Sequence, residues 1–151
     1  MTKADFKRSW GIDPKKTLRY NGVKGVYWYY FSIHIRKRDF MKYDGRCISC
    51  PRKLADWREG DAGHYIPAAG SRKLQFHERN VNLQCKPCNG PYANKKVATA
   101  GYSVGLDERY GPGTAAGLYH DRKTVHKEWP DEWFLVKLAE LGIEQKEHPA
   151  P

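Results

Sequence analysis

Apolar residues along the chain keep two different rhythms. In VKGVYWYYFSIHIRKRDF, residues 23–40, aromatic and β-branched content suits a strand, while the length and the charged end suit a helix. Val23, Val26, Tyr27, Tyr30 and Phe31 fall on one helical face, so a helix is expected. Arg36, Lys37 and Arg38 would then lie in its last turn, where cations suit the helix dipole. The first 22 residues mix charge with Pro14 and Gly22 and show little period. They read as a basic arm that orders on a partner.

From Cys47 to Cys88 the pattern shortens, with Gly45, Pro51, Gly60, Gly63, Pro67 and Gly70 as breakers. Only short strands fit there, one across Ala62 to Ile66 and one near Val81 to Gln84, joined by a loop containing PAAGSRKLQF. After Cys88, Asn89 can cap a helix that tolerates Pro91 in its first turn and continues to Gly111, although Gly101 and Gly105 count against it. Pro130, Asp131 and Glu132 open a last helix with Leu135, Leu138 and Ala139 on one face and Gly142 as its stop. The expectation is an α+β chain in three parts: a basic arm (1–22), a core (23–111) and a helical extension (112–151).

A length of 151 residues suits one domain, and 40% hydrophobic with 29% charged residues argues for a folded chain. The net charge of +10 is uneven. Residues 1–58 hold fifteen Lys and Arg against five Asp and Glu, whereas residues 59–151 hold twelve of each. Such asymmetry points to a polyanion, with nucleic acid ahead of an anionic membrane because the basic half lacks a long Lys-rich amphipathic helix. No apolar run has the length of a bilayer span, and MTKADFKRSW lacks the apolar centre of a signal peptide, so a cytoplasmic location is expected. In that reducing setting the four cysteines read as metal ligands.

Cys47-Ile-Ser-Cys50 and Cys85-Lys-Pro-Cys88 each bring two thiolates onto a tight turn, and two such turns complete a tetrahedral zinc site. All four ligands are protein sulfurs, so the zinc is expected to be structural and to supply folding free energy, on the order of 10 kcal/mol in zinc-finger peptides. Between the knuckles lie three residues with chemical potential. His64 is a residue type suited to taking a proton from an attacking water. Asn80 could hold the strand or the imidazole in orientation, or serve simply as a turn residue. Asn89, beside a zinc ligand, could offer a hard oxygen to a divalent cation or could cap a helix.

CISC, AGHYIP, the F-x-E-x-N run Phe76 to Asn80, and NVNLQCKPCN resemble the NinG/Rap recombination proteins of lambda-like phages. FSIHIRKRD upstream resembles that family too, and the similarity reaches Tyr110-Gly111. The resemblance implies a ββα-metal (His-Me finger, HNH) core stapled by the zinc site with flanking helices, acting as an endonuclease on branched DNA in phage recombination within the host cytoplasm. Its CxxC pairs followed by an asparagine are also similar to those of recombination endonuclease VII, a junction resolvase. By the resemblance His64 matches the general base, Asn80 the middle asparagine and Asn89 a ligand of catalytic Mg²⁺ or Mn²⁺. Many such sites carry a metal-binding residue directly before the base, where this chain has Gly63. Asp61, Glu78 or a water could stand in, Asp61 if the Ala62-Gly63 backbone bends.

Arg36, Lys37, Arg38, Arg52 and Lys53 are the candidate phosphate contacts, recognising branched or single-strand-containing DNA by shape. Trp28 and Tyr30 could stack on unpaired bases or pack in the core. Resolving a symmetric junction suits a homodimer. The alternative is a zinc-dependent nucleic-acid-binding module without catalysis, which shifts DNA without cutting it.

Overall fold

The computed structural model describes residues 1–147. In chain order the elements are α1 (Lys3–Ser9), α2 (Gly22–Lys42), β1 (Gly60–His64), β2 (Val81–Cys85), α3 (Lys86–Asn89), α4 (Lys95–Tyr110), α5 (Thr114–Asp121) and α6 (Asp131–Glu140), with 3-10 turns at Trp57–Glu59 and Ala68–Gly70. This is an α+β chain whose two strands pair antiparallel. Two compact units form, one of Ser32–Glu128 and one of Met1–Phe31 with the segment from Trp129. No helix among the described residues is long and apolar enough to cross a membrane.

The smaller unit departs from the arm and extension that the sequence suggests. Thr2 Oγ1 caps α1 by accepting from the Asp5 amide at 3.0 Å, and Trp10 and Ile12 just beyond the helix are buried. Two apolar residues are too few to show a period, yet they are enough to anchor a short helix. Tyr30 donates to the Trp10 carbonyl at 2.5 Å, and Lys7 Nζ donates to the carbonyls of Pro14 and Lys16. The expected helical face of α2 supplies buried Val26, Tyr27 and Phe31. Tyr27 meets Trp133 edge-on at 5.8 Å and Phe134 at 5.9 Å. These aromatic contacts set which stripe of α6 is buried: Phe134 and Leu138, while Leu135 and Ala139 face solvent, contrary to expectation.

In the larger unit the strands lie slightly off their expected places. Gly60 pairs with Cys85 and His64 with Val81. Tyr65 and Ile66 fall outside β1 because the Asn80 side chain, not the ladder, takes the amide and carbonyl of Ile66. All five residues of β2 are buried, so no alternation marks it. The helix expected from Asn89 to Gly111 is two helices. Asn89 ends α3, Gly90-Pro91 interrupts the chain, and Asn94 caps α4 by accepting from the Val97 amide at 3.2 Å. Gly101 and Gly105 sit inside α4 for want of space. A β-carbon at Gly101 would stand 1.9 Å from the Ser49 carbonyl oxygen, and one at Gly105 2.2 Å from that of Ile48. The first CxxC turn thus docks directly on the α4 backbone, over a core of Ile48, Ile66, Leu74, Tyr102, Leu106, Ala115 and Leu118.

Helix α2 continues to Lys42, so Arg36, Lys37 and Arg38 lie before its last turn. Its Asp39, fully buried, accepts from Arg38 Nε at 2.8 Å and from the Leu83 amide at 2.8 Å, and faces Arg109 at 3.8 Å. A single carboxylate thereby joins α2, β2 and α4. Replacing Asp39 by Ala leaves two largely buried guanidinium groups without their counter-charge, and the expected loss is about 3–5 kcal/mol in urea unfolding.

Candidate active site

The four cysteine sulfurs lie within 4.8 Å of one another, and Cys50 and Cys85 Sγ are 3.6 Å apart. Zn–S bonds of about 2.3 Å in a tetrahedron require S···S separations of roughly 3.8 Å, so the cluster fits a metal such as zinc. Local backbone builds the first turn: Cys47 N–H donates to the Arg52 carbonyl, and the Ser49 amide donates to Cys47 Sγ at 3.4 Å. The second turn runs from the end of β2 into α3, which carries Cys88. Burial raises the Cys50 thiol, but the Arg52 amide and the neighbouring thiols outweigh it and bring it below its ordinary value. Burial and crowding by the other sulfurs push Cys85 up to about 11 and Cys88 higher still. Four thiolates can share this space only around a cation.

His64 closes β1, and its Nε2 lies 2.9 Å from the Gln75 carbonyl oxygen. A carbonyl can only accept, so Nε2 carries a proton, which in the neutral imidazole leaves the lone pair on Nδ1. Asn80 shapes the connection that brings Gln75 there. Fully buried, it accepts from the Ile66 amide at 2.8 Å and donates to the carbonyls of Ile66 and Leu74 at 3.0 and 2.9 Å. It therefore positions the loop rather than bonding the imidazole itself. Tyr102 of α4 completes the frame by donating to the Gly63 carbonyl at 2.6 Å and accepting from Asn82 Nδ2 at 3.1 Å. Its burial drives the phenol's pKa far upward, so it stays a donor.

On the other side of Gly63, Asn89 Nδ2 donates to Asp61 Oδ2 at 3.1 Å, and Lys86 Nζ donates to Asp61 Oδ1 at 2.5 Å. The expected bend does not form: the ladder is unbroken from Gly60 to His64, so Asp61 and Gly63 share a face and the His64 side chain leaves β1 on the other. Glu78 lies elsewhere: its side chain is exposed, and its carbonyl accepts from Arg38. What glycine provides at position 63 is clearance, since a β-carbon there would stand 1.8 Å from Gln84 Oε1 and 3.0 Å from Asn89 Oδ1. Among the described residues the cysteines form the only close group of three or more His, Cys, Asp or Glu ligands.

The basic residues separate into struts and surface. Arg38, expected on phosphate, is spent inside the fold: besides Asp39 it donates to the carbonyls of Glu78 and Val81 and to Asn82 Oδ1. Arg36 and Lys37 lie 4.8 and 5.2 Å from the centre of the Trp57 ring, joined by Arg58 at 4.4 Å. Trp57 and Arg58 carry no motif that marks them in the sequence. Lys53 pairs with Asp44 at 2.8 Å on the surface, and Arg52 is exposed.

The family described as Bacteriophage Lambda NinG protein matches residues 27–137. Protein ninG of Salmonella phage P22 is 39% identical over 104 residues, covering 68% of this chain and 46% of that protein. The ninG proteins of Escherichia phage lambda and Escherichia phage 933W are each 41% identical over 78 residues, 51% of this chain and 34% of theirs. The chain thus spans less than half the length of these relatives. No solved structure gives a significant match. The matched stretch contains both CxxC pairs, His64, Asn80 and Asn89, and the chain belongs to the NinG family of bacteriophage proteins.

Proposed function

We propose that this chain is a metal-dependent endonuclease of the His-Me (HNH) kind, cutting branched DNA during phage recombination. One observation carries the reading: His64, oriented by the Gln75 carbonyl, directly follows in β1 the glycine against which the Asn89 side chain packs, with Asp61 bonded to that same amide. The strand–strand–helix order β1, β2, α3 supports it, as does the positive charge concentrated in residues 1–58.

His64 Nε2–H stays on the Gln75 carbonyl while Nδ1 accepts a proton from a water aligned with the phosphodiester. The water oxygen bonds to phosphorus, the P–O3′ bond breaks, and the 3′ oxygen leaves as the alcohol after protonation. A bound Mg²⁺ or Mn²⁺ would neutralise charge on the phosphate and the departing oxygen. Asp61 and Asn89 would hold it, since carboxylate and amide oxygens suit a hard cation. Lys86 balances the Asp61 charge in the meantime. Zinc in the sulfur cluster is structural: it fixes the end of β2 and the start of α3, which set where Asn89 stands. Arg36, Lys37, Arg52, Lys53 and Arg58 would meet DNA phosphates, so binding falls steeply with salt.

With four-way or flap DNA, His64→Ala is expected to lower turnover by roughly 10² or more while DNA affinity in a gel-shift titration stays within about twofold. Full-rate cutting by that variant removes His64 from the chemistry. A wild-type chain that shifts DNA but never cuts it in Mg²⁺ or Mn²⁺ favours a non-catalytic binding module. Chelating the zinc, or Cys88→Ser, is expected to abolish cooperative thermal unfolding as well as cleavage. Because the Cys85 and Cys88 thiols hold their protons in the absence of metal, zinc uptake should release protons and tighten as pH rises; calorimetry in buffers of different ionisation heat measures both.

A further inference from the structure

Gln84 immediately precedes a zinc ligand in β2 and looks in the sequence like an ordinary strand residue. The residue is 4% exposed. Nε2 donates to Ser49 Oγ at 2.9 Å, which fixes the amide against the first CxxC turn. That leaves Oε1 to point over Gly63, where it accepts no hydrogen bond from any described residue. Asn89 Oδ1 points to the same place and is likewise without a donor, its Nδ2 being bonded to Asp61. The two amide oxygens lie 1.8 and 3.0 Å from the position a Gly63 β-carbon would take, so they are no farther apart than the sum of those distances. Asp61, paired with Gln84 across the ladder, brings its carboxylate to the same face.

Two acceptors without a protein donor, one on a residue more than nine-tenths buried, converge over Gly63. A hard cation can take both oxygens at once, because carbonyl oxygens are among its ordinary ligands. The Asp61 carboxylate on the same face adds negative charge, which Lys86 offsets in the metal-free chain. Resting on the proposed divalent-metal reading, we infer that Gln84 Oε1 is a third protein ligand of that metal, beside Asp61 and Asn89. It occupies the space that a ligating side chain at position 63 would need, and Gly63 is the complement of that substitution. An amide in place of a carboxylate makes the site less negative, so its affinity for Mg²⁺ or Mn²⁺ is set lower. The Ser49 hydrogen bond also couples this oxygen to the zinc turn, so the two metal sites share one rigid support.

The test is Mn²⁺ binding to the zinc-loaded full chain without DNA, followed by the electron-spin signal of free Mn²⁺, with zinc content and melting temperature recorded in parallel. Gln84→Leu is expected to weaken Mn²⁺ binding by on the order of tenfold, and Gln84→Glu to tighten it by a similar factor. Gly63→Asp combined with Gln84→Ala, which opens room for the new carboxylate, should restore binding. Should Gln84→Leu impair folding, the Glu variant and the double variant still decide. Wild-type affinity in Gln84→Leu, or no change in Gln84→Glu, overturns the role of Gln84 while the divalent site stands. A zinc-loaded wild type that binds no Mn²⁺ overturns the endonuclease reading along with it.

Discussion

Four thiols within 4.8 Å of one another are the constraint on which the larger unit turns. Without a cation, burial and crowding oppose ionisation of Cys85 and Cys88; with one, the same crowding becomes a closed coordination shell. The cluster joins a turn at residues 47–50 to the end of a strand and a four-residue helix at 85–89. A helix that short has no stability of its own. Asn89 therefore owes its position to sulfur, and its meeting with Asp61 follows from where Cys88 is held.

The second layer of order is polar and buried. Asp39, Asn80, Asn82, Gln84 and Tyr102 are enclosed, and each is engaged by a named partner on another element or on the connection between strands. A two-stranded sheet buries little apolar surface and is marginal by itself. Directional bonds compensate by fixing register: Asp39 on the Leu83 amide, Tyr102 on the Gly63 carbonyl. Such groups are costly when half satisfied and rigid when complete. That rigidity is what an oriented imidazole needs, since His64 depends on a carbonyl eleven residues away along a loop with little regular structure.

Glycine acts here as absence of volume more than as freedom of backbone. Gly101 and Gly105 let carbonyls of the first CxxC turn rest on α4, and Gly63 leaves room for two amide oxygens. In each case the β-carbon of any other residue would fall inside a neighbouring oxygen. The glycines that counted against a helix in the sequence are thus the reason the helix can pack where it does.

By itself the sequence determined the ligand chemistry and the long periodic helix. Cysteine spacing needs only local turns to imply a metal, and α2 shows its apolar face over enough residues to outweigh its strand-like composition. Charge asymmetry, too, is a sum over residues and requires no fold. Tertiary structure decided what depends on distance between segments. Arg38 was indistinguishable from Arg36 until a buried aspartate and two carbonyls claimed it. Asp61 meets Asn89 while Glu78 stays exposed elsewhere, and the break at Gly90-Pro91 moved the helix cap from Asn89 to Asn94. Gln84 had no signal at all, because a strand amide becomes chemically distinct only when the fold sets its oxygen beside those of other segments. Local propensity is written in neighbours along the chain; the roles of these polar side chains are set by neighbours that arrive from 20 to 40 residues away.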